Sequence, residues 1–280
     1  MSSVSAALNS VLSPDMATIV NIEDIGQQIQ AGIGIDVADV QASEVTLVTE
    51  MPDDSGSIRF AGNTQAVRDG HNLLLDALGG SKNKQKEGTL IHCRYLNGFV
   101  LFPFVPLSQA IRMDQTNYDP NLGTPLYDQA MIILATVLAK ARTFEDSGVP
   151  CRTVTLLGPT DGADESSRKY QESDVFKMVT EMLQMENHII AGMGIDDGRT
   201  DFYEVYSGWT KREVMKAKKD GTLDSLNAKG GMGVQPRWVM TPSSSPSEIR
   251  KAMGMFSQSA IRASQSGVNF SQTAAGGFGA

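Results

Sequence analysis

Val45-Thr46-Leu47-Val48-Thr49-Glu50-Met51-Pro52-Asp53-Asp54-Ser55-Gly56-Ser57 carries a strand into a helix through a polar turn. From Glu44 to Thr49, Val45, Leu47 and Thr49 alternate with Thr46 and Val48, so this strand is apolar on both faces and belongs inside a sheet covered from both sides. Pro52 removes a ladder donor, which makes the strand end or bulge before Asp53. From Phe60 onward Val67, Leu74, Leu75 and Leu78 repeat at helix spacing, and Gly79-Gly80 closes that helix. Between the two elements, Asp53, Ser55 and Ser57 offer a carboxylate and two hydroxyls at alternate positions. Oxygen ligands so placed suit a small hard cation; the same residues also make an ordinary capping turn.

Outward from that stretch the chain alternates strands and helices. Ile22 to Gln30 reads as a short helix ended by Gly32 and Gly34, while the Ser/Ala-rich residues 1 to 20 are expected to be loosely ordered or docked on a partner. Leu90 to Tyr95 and Phe99 to Phe104 form a hairpin about Asn97-Gly98. After the polar loop Asp114 to Gly123, Thr124 caps a richly apolar helix with Pro125 at its first position. Cys151 to Leu157 and His188 to Ile195 are strands on either side of the helix Asp174 to Met185. Helical turns start at Phe202 and Thr210, Arg237 to Met240 is a last strand, and Ser247 caps a final helix to Ala263. Strand-helix repetition around one hairpin predicts a three-layer α/β/α, doubly wound fold, mostly parallel with one antiparallel edge strand. The expected organisation is an N-terminal extension (1–43), a main domain (44–263) and a flexible Gly/Ser/Ala-rich tail (264–280).

Composition narrows the function. The chain has 280 residues, 41% hydrophobic, with 32 acids against 24 bases for a net charge of −8. That balance argues against general nucleic-acid binding and suits cations. Two cysteines, Cys93 and Cys151, make no disulfide framework and point to a reducing compartment, expected to be cytoplasmic. No signal peptide and no membrane-length apolar run are read in the sequence.

In a parallel sheet, ligands gather beyond the carboxyl ends of the strands. Asp53-Asp54, Asp161 and Asp196-Asp197 all follow strands. Asp53, Ser55, Ser57, Thr124 and Asp161 together supply carboxylates and hydroxyls for octahedral Mg2+, with water or a partner's oxygen completing the shell. With no soft ligand in that set, zinc is not expected there.

Asp53-x-Ser55-Gly56-Ser57, then Gly123-Thr124-Pro125-Leu126-Tyr127-Asp128, then Thr160-Asp161-Gly162, resemble the three parts of the metal-ion-dependent adhesion site of von Willebrand factor A domains. Gly192-Met193-Gly194-Ile195 resembles that family's glycine-bearing fifth strand, and the match runs in order over residues 44 to 262. Glu50-Met51-Pro52 stands where the family runs its first strand straight into the aspartate, and Thr210 to Val234 looks like an insertion before the last strand. The resemblance implies Mg2+ (alternatively Mn2+ or Ca2+) held by Ser55, Ser57 and Thr124, with Asp53 and Asp161 binding directly or through water. It further implies a non-enzymatic protein-binding module of intracellular bacterial or phage-like type, a protein partner offering an acidic side chain, and an AAA+ ATPase among the candidate partners.

Other features receive ordinary readings. Asp196 and Asp197 are turn residues; His71, His92 and His188 share no ligand spacing. Ser166-x-x-Lys169 lacks the companion motifs of penicillin-binding enzymes, and the paired AGxGID segments at Ala31 and Ala191 have no further copy. Lys211, Lys216, Lys218 and Lys219 are expected to form a solvated helix face, with an acidic partner as the alternative reading. The competing functions are a Mg2+-dependent phosphoryl-transfer enzyme with Asp53 as nucleophile, and a structural subunit whose metal site is not essential. Against the enzyme, Ser55 stands where haloacid-dehalogenase-type phosphatases carry a second aspartate.

Overall fold

A computed structural model describes residues 3–80, 88–265 and 277–278. Its described strands form one six-stranded sheet: β1 (Val45–Met51), β2 (Thr89–Arg94), β3 (Val100–Pro106), β4 (Cys151–Thr160), β5 (His188–Gly194) and β6 (Val239–Met240). Their order is β3-β2-β1-β4-β5-β6, with every pairing parallel except β2–β3. β1 and β5 are buried at every position, as strands covered on both faces must be. The sheet is mostly parallel with one antiparallel edge strand, flanked by helices, as expected.

One face is covered by α5 (Thr64–Gly80) and α10 (Pro246–Gln265), which pack on each other and, through α10, on β1 and β4. Gly70 lets them approach: a Cβ there would lie 2.7 Å from Met253 Cγ. The other face carries α6 (Leu126–Asp146) over β1 and β4, and α7 (Glu172–Gln184) over β5. α8 (Phe202–Ser207) lies against β5, where Cβ atoms on Gly192 and Gly194 would fall within the ring contacts of Tyr206 and Phe202. α9 (Lys211–Lys219) follows, opened by a capping box between Thr210 and Glu213.

The N-terminal residues differ most from expectation over 1–20, while the helix expected at Ile22 is present. They form α1 (Ser3–Val11), α2 (Pro14–Val20) and α3 (Ile22–Ile33), and Leu8, Met16, Val20 and Ile29 are all buried. α3 packs beside α6 and on β3; a Cβ on Gly32 would sit 2.7 Å from Thr136 Cγ2 and 3.1 Å from His92 Nε2 of β2. Among the described residues, α3 supplies the cover of the hairpin half on this face through its packing on β3. Apolar residues that gave no clear period alone are ordered by that surface.

Smaller differences have local causes. The helix expected from Phe60 is split: Gly62, at φ 76°, ends α4 (Gly56–Phe60), and the Asn63 carbonyl then opens α5 by accepting from Val67 N. α6 begins at Leu126, and Thr124 is no cap, because its carbonyl accepts instead from Glu165 N and Ser166 N. α10 begins at Pro246, with Ser245 Oγ rather than Ser247 accepting from Glu248 N at 3.3 Å. Residues 81–87 and most of the expected flexible tail lie outside the described residues. Phe278 is described, and its N–H donates to Arg237 O at 3.1 Å while its ring meets Trp238 edge-on. Among the described residues no helix is long and apolar enough to cross a membrane. Cys93 and Cys151 are free and buried.

Candidate metal centre

β1 and β4 run side by side and end at the same rim, which brings Asp53 and Asp161 together across residues far apart in sequence. Pro52 does not break this arrangement. Met51 faces both Leu157 and Gly158 in a local bulge, so the missing donor falls where the ladder is already interrupted. Beyond the proline the chain is held on both sides: Leu96 N donates to Pro52 O at 2.9 Å, and Asp53 N donates to Pro159 O at 3.0 Å.

The Asp53 carboxyl is fully buried. One oxygen accepts from Ser55 N at 2.7 Å and the other from Thr160 Oγ1 at 2.6 Å, while Tyr118 OH donates to its carbonyl. From Ser55 a file of oxygens crosses the rim: Ser55 Oγ lies 2.9 Å from Ser57 Oγ, and Ser57 Oγ donates to Asp161 Oδ1 at 2.5 Å. Thr124 Oγ1 stands beside the Asp161-Gly162 turn, 4.0 Å from where a Gly162 Cβ would be. The structure thus brings the five sequence-derived residues to one rim, Thr124 by a loop rather than by a helix cap.

That loop is stapled in place by Asp54, which the sequence placed at the strand end without this role. Asp54 turns away from the file and accepts from Asn97 N (3.0 Å) and Asn97 Nδ2 (2.9 Å), and the same amide group donates to Gly123 O at 2.6 Å. Its carbonyl accepts from Asn121 N and Leu122 N, and Gly56 N donates to Leu122 O. Ser166 Oγ accepts from Thr124 N at 3.2 Å, and Gly123 leaves room for it, since a Cβ there would lie 2.7 Å from that oxygen. The adjacency of Asp54 to Asp53 was legible; the hairpin tip that answers it was not.

The oxygens fit a hard divalent ion. Burial pushes the Asp53 carboxyl up to about 6 against hydrogen bonds from Ser55 and Thr160 that favour its charge. Burial, with Asp197 nearby, also raises Asp161 despite the Ser57 hydrogen bond. Two carboxyls held reluctant to ionise, beside two hydroxyls linked to each other and to those carboxyls, are a donor set that a cation relieves.

A pH dependence follows from Asp53. Its folded-state value of about 6 exceeds the ordinary 3.8, so between those values the metal-free folded chain holds a proton that the unfolded chain has released. This group's contribution therefore falls by about 3 kcal/mol as pH rises through that window. A cation must displace that proton at low pH, so the Mg2+-induced gain in Tm is expected to be smaller at pH 5 than at pH 7. Thermal melts in Mg2+ and in EDTA at both pH values test this, and equal gains would contradict it.

The histidines divide. His92 and His188 are neutral core groups, each pushed down to about 3 by burial, bonded to Phe102 O and Thr153 Oγ1. His71 instead meets Glu50 and Cys93 in a buried cluster beneath the rim. Strand register is the only signal that would have found it. Asp196 and Asp197 cap the turn to Thr200, as expected. Of the insertion lysines, Lys211 pairs with Asp196 (2.9 Å), Lys216 with Asp220 (2.7 Å) and Lys218 with the Tyr203 hydroxyl (3.0 Å), so that face is tied to its own chain.

No family model matches the chain, and no curated protein is detectably similar to it. Among solved structures it is similar to proximal thread matrix protein 1 from the mussel byssus, with a zinc-occupied MIDAS motif, at 15% identity and a TM-score of 0.46 over 80% of this chain and 47% of that one. It is also similar to the open conformation of the pilus adhesin SpaC from Lactobacillus rhamnosus GG, at 12% identity and a TM-score of 0.48 over 79% of this chain and 30% of that one. The chain spans less than half the length of either protein.

Proposed function

We propose that the chain is a Mg2+-dependent protein-interaction module of the von Willebrand factor A type, working inside the cell. The observation that carries this is the continuous file of Ser55, Ser57 and Asp161 oxygens at the end of β1 and β4, with Thr124 alongside. In this reading Ser55, Ser57 and Thr124 hold the ion, Asp53 and Asp161 bind it directly or through water, and Mn2+ or Ca2+ can replace Mg2+. A bound cation supplies an electrophilic position for a carboxylate from outside. Hydroxyl-rich ligation leaves its charge incompletely neutralised, so an acidic side chain of a partner completes the shell. Residues 44–263 form the module, 1–43 its N-terminal extension, and 210–234 a chain-specific surface. An AAA+ ATPase or a multi-protein assembly is the proposed setting.

Asp53 is poorly placed to act as a phosphoryl-accepting nucleophile. Both of its oxygens already accept hydrogen bonds, and it is sealed from solvent. The test is a pull-down from the native host in Mg2+ and in EDTA, with wild type and Thr124→Ala. A partner retained by wild type in Mg2+ and released by EDTA or by the substitution is the expected result. A partner set indifferent to metal and to Thr124 would defeat the proposal.

A further inference from the structure

Beneath the rim, Glu50 of β1 and Cys93 of β2 are direct partners across the parallel ladder, and His71 of α5 reaches both. Their exposures are 0%, 0% and 1%, and one donor atom from each lies within 4.8 Å of the other two. The hydrogen-bond pattern assigns the imidazole. His71 Nε2 lies 2.9 Å from the Ile111 carbonyl, which can only accept, so Nε2 carries the hydrogen. Nδ1 is then turned toward Glu50 Oε1, and the two are in hydrogen-bond contact. Two lone pairs that close need a cation between them, either a proton or a metal. The second carboxyl oxygen, Glu50 Oε2, is buried and has no hydrogen-bond partner. Such a group is costly to leave unsatisfied.

We propose that Glu50, His71 and Cys93 form a buried Zn2+ site, distinct from the rim, with His71 Nδ1, Cys93 Sγ and both carboxyl oxygens of Glu50 as ligands. This gives four donors of the nitrogen, sulfur and oxygen types that zinc accepts, with no open position, which is the pattern of a structural site. It gives the orphaned Oε2 a partner. It also leaves the core neutral, because thiolate and carboxylate together balance the ion. The Ile111 carbonyl orients the imidazole from behind, as the outer partner of a metal-bound histidine does. Binding releases the thiol proton and the proton shared by His71 and Glu50 to solvent. The ion would tie β1, β2 and α5 together just upstream of Asp53, pinning the strand end that delivers the rim carboxyl. Magnesium does not compete here, since it discriminates against sulfur and nitrogen ligands.

The test uses the full chain, expressed with zinc and dialysed against zinc-free buffer containing excess Mg2+, which leaves the rim to magnesium. Retained zinc is measured by metal analysis and its shell by zinc-edge X-ray absorption on the wild type. The expected shell has one sulfur at about 2.3 Å and nitrogen or oxygen at about 2.0–2.2 Å. Cys93→Ser and His71→Gln are expected to lose the retained zinc, and Asp161→Ala to keep it. No retained zinc in the folded wild type, a shell without sulfur, or loss of the zinc in Asp161→Ala would each overturn the assignment. The wild-type spectrum decides even if either core variant fails to fold.

Discussion

Asp161→Ala is expected to abolish the rise in Tm that Mg2+ produces. For wild type at a Mg2+ concentration a hundredfold above Kd, mass action stabilises the folded state by about 2.7 kcal/mol. In a chain of this size that corresponds to a rise of about 5–10 °C. Asp161 contributes the carboxyl at the far end of the Ser55–Ser57 file, where it accepts from Ser57 Oγ. Without Mg2+ the substitution should leave Tm unchanged or raise it. Burial and Asp197 already disfavour the Asp161 charge, and Ser57 is exposed enough to turn its hydroxyl to water. This split between the two conditions separates a lost ligand from a damaged fold. Melts of both proteins in Mg2+ and in EDTA measure it, and an undiminished Mg2+ gain in the variant would remove Asp161 from the site.

Ile29→Ala should destabilise the protein by about 2–5 kcal/mol, the usual cost of truncating a buried branched side chain. Ile29 is fully buried on α3, which packs on α6 and the β3 edge. The adjacent Gln30 is exposed, and Gln30→Ala is expected to stay within about 0.5 kcal/mol. Denaturant titration of the two variants compares them directly. If Ile29→Ala costs no more than Gln30→Ala, the N-terminal helices are an appendage rather than part of the helical layer.

The residues whose placement came through from sequence are those with a strong local signal. Asn97-Gly98 marked the hairpin, the β-branched runs marked β1, β4 and β5, and Asp53, Ser55 and Ser57 marked the rim because parallel sheets present their ligands there. α3 was legible only as a short helix, since nothing local says that an edge hairpin lacks cover. Thr124 reaches the rim for a reason other than helix capping, because its carbonyl is spent on the loop after β4. Asp54, Asn97 and the Glu50–His71–Cys93 cluster were invisible as groupings. Each depends on which residue of one strand or turn faces which residue of another.

The sequence by itself determined the alternation of strands and helices, the one antiparallel pair and the residue types available at the rim. These follow from side-chain period, turn chemistry and strand-to-helix order, all short-range properties. Only the tertiary structure decided that Pro52 coincides with a bulge, that α3 closes the sheet, and that Glu50 faces Cys93 across β1 and β2. Register sets those outcomes, and a slip of one residue would turn Glu50 to the opposite face of the sheet. Register is chosen by the packing of the whole core, so it cannot be read from any one stretch of the chain.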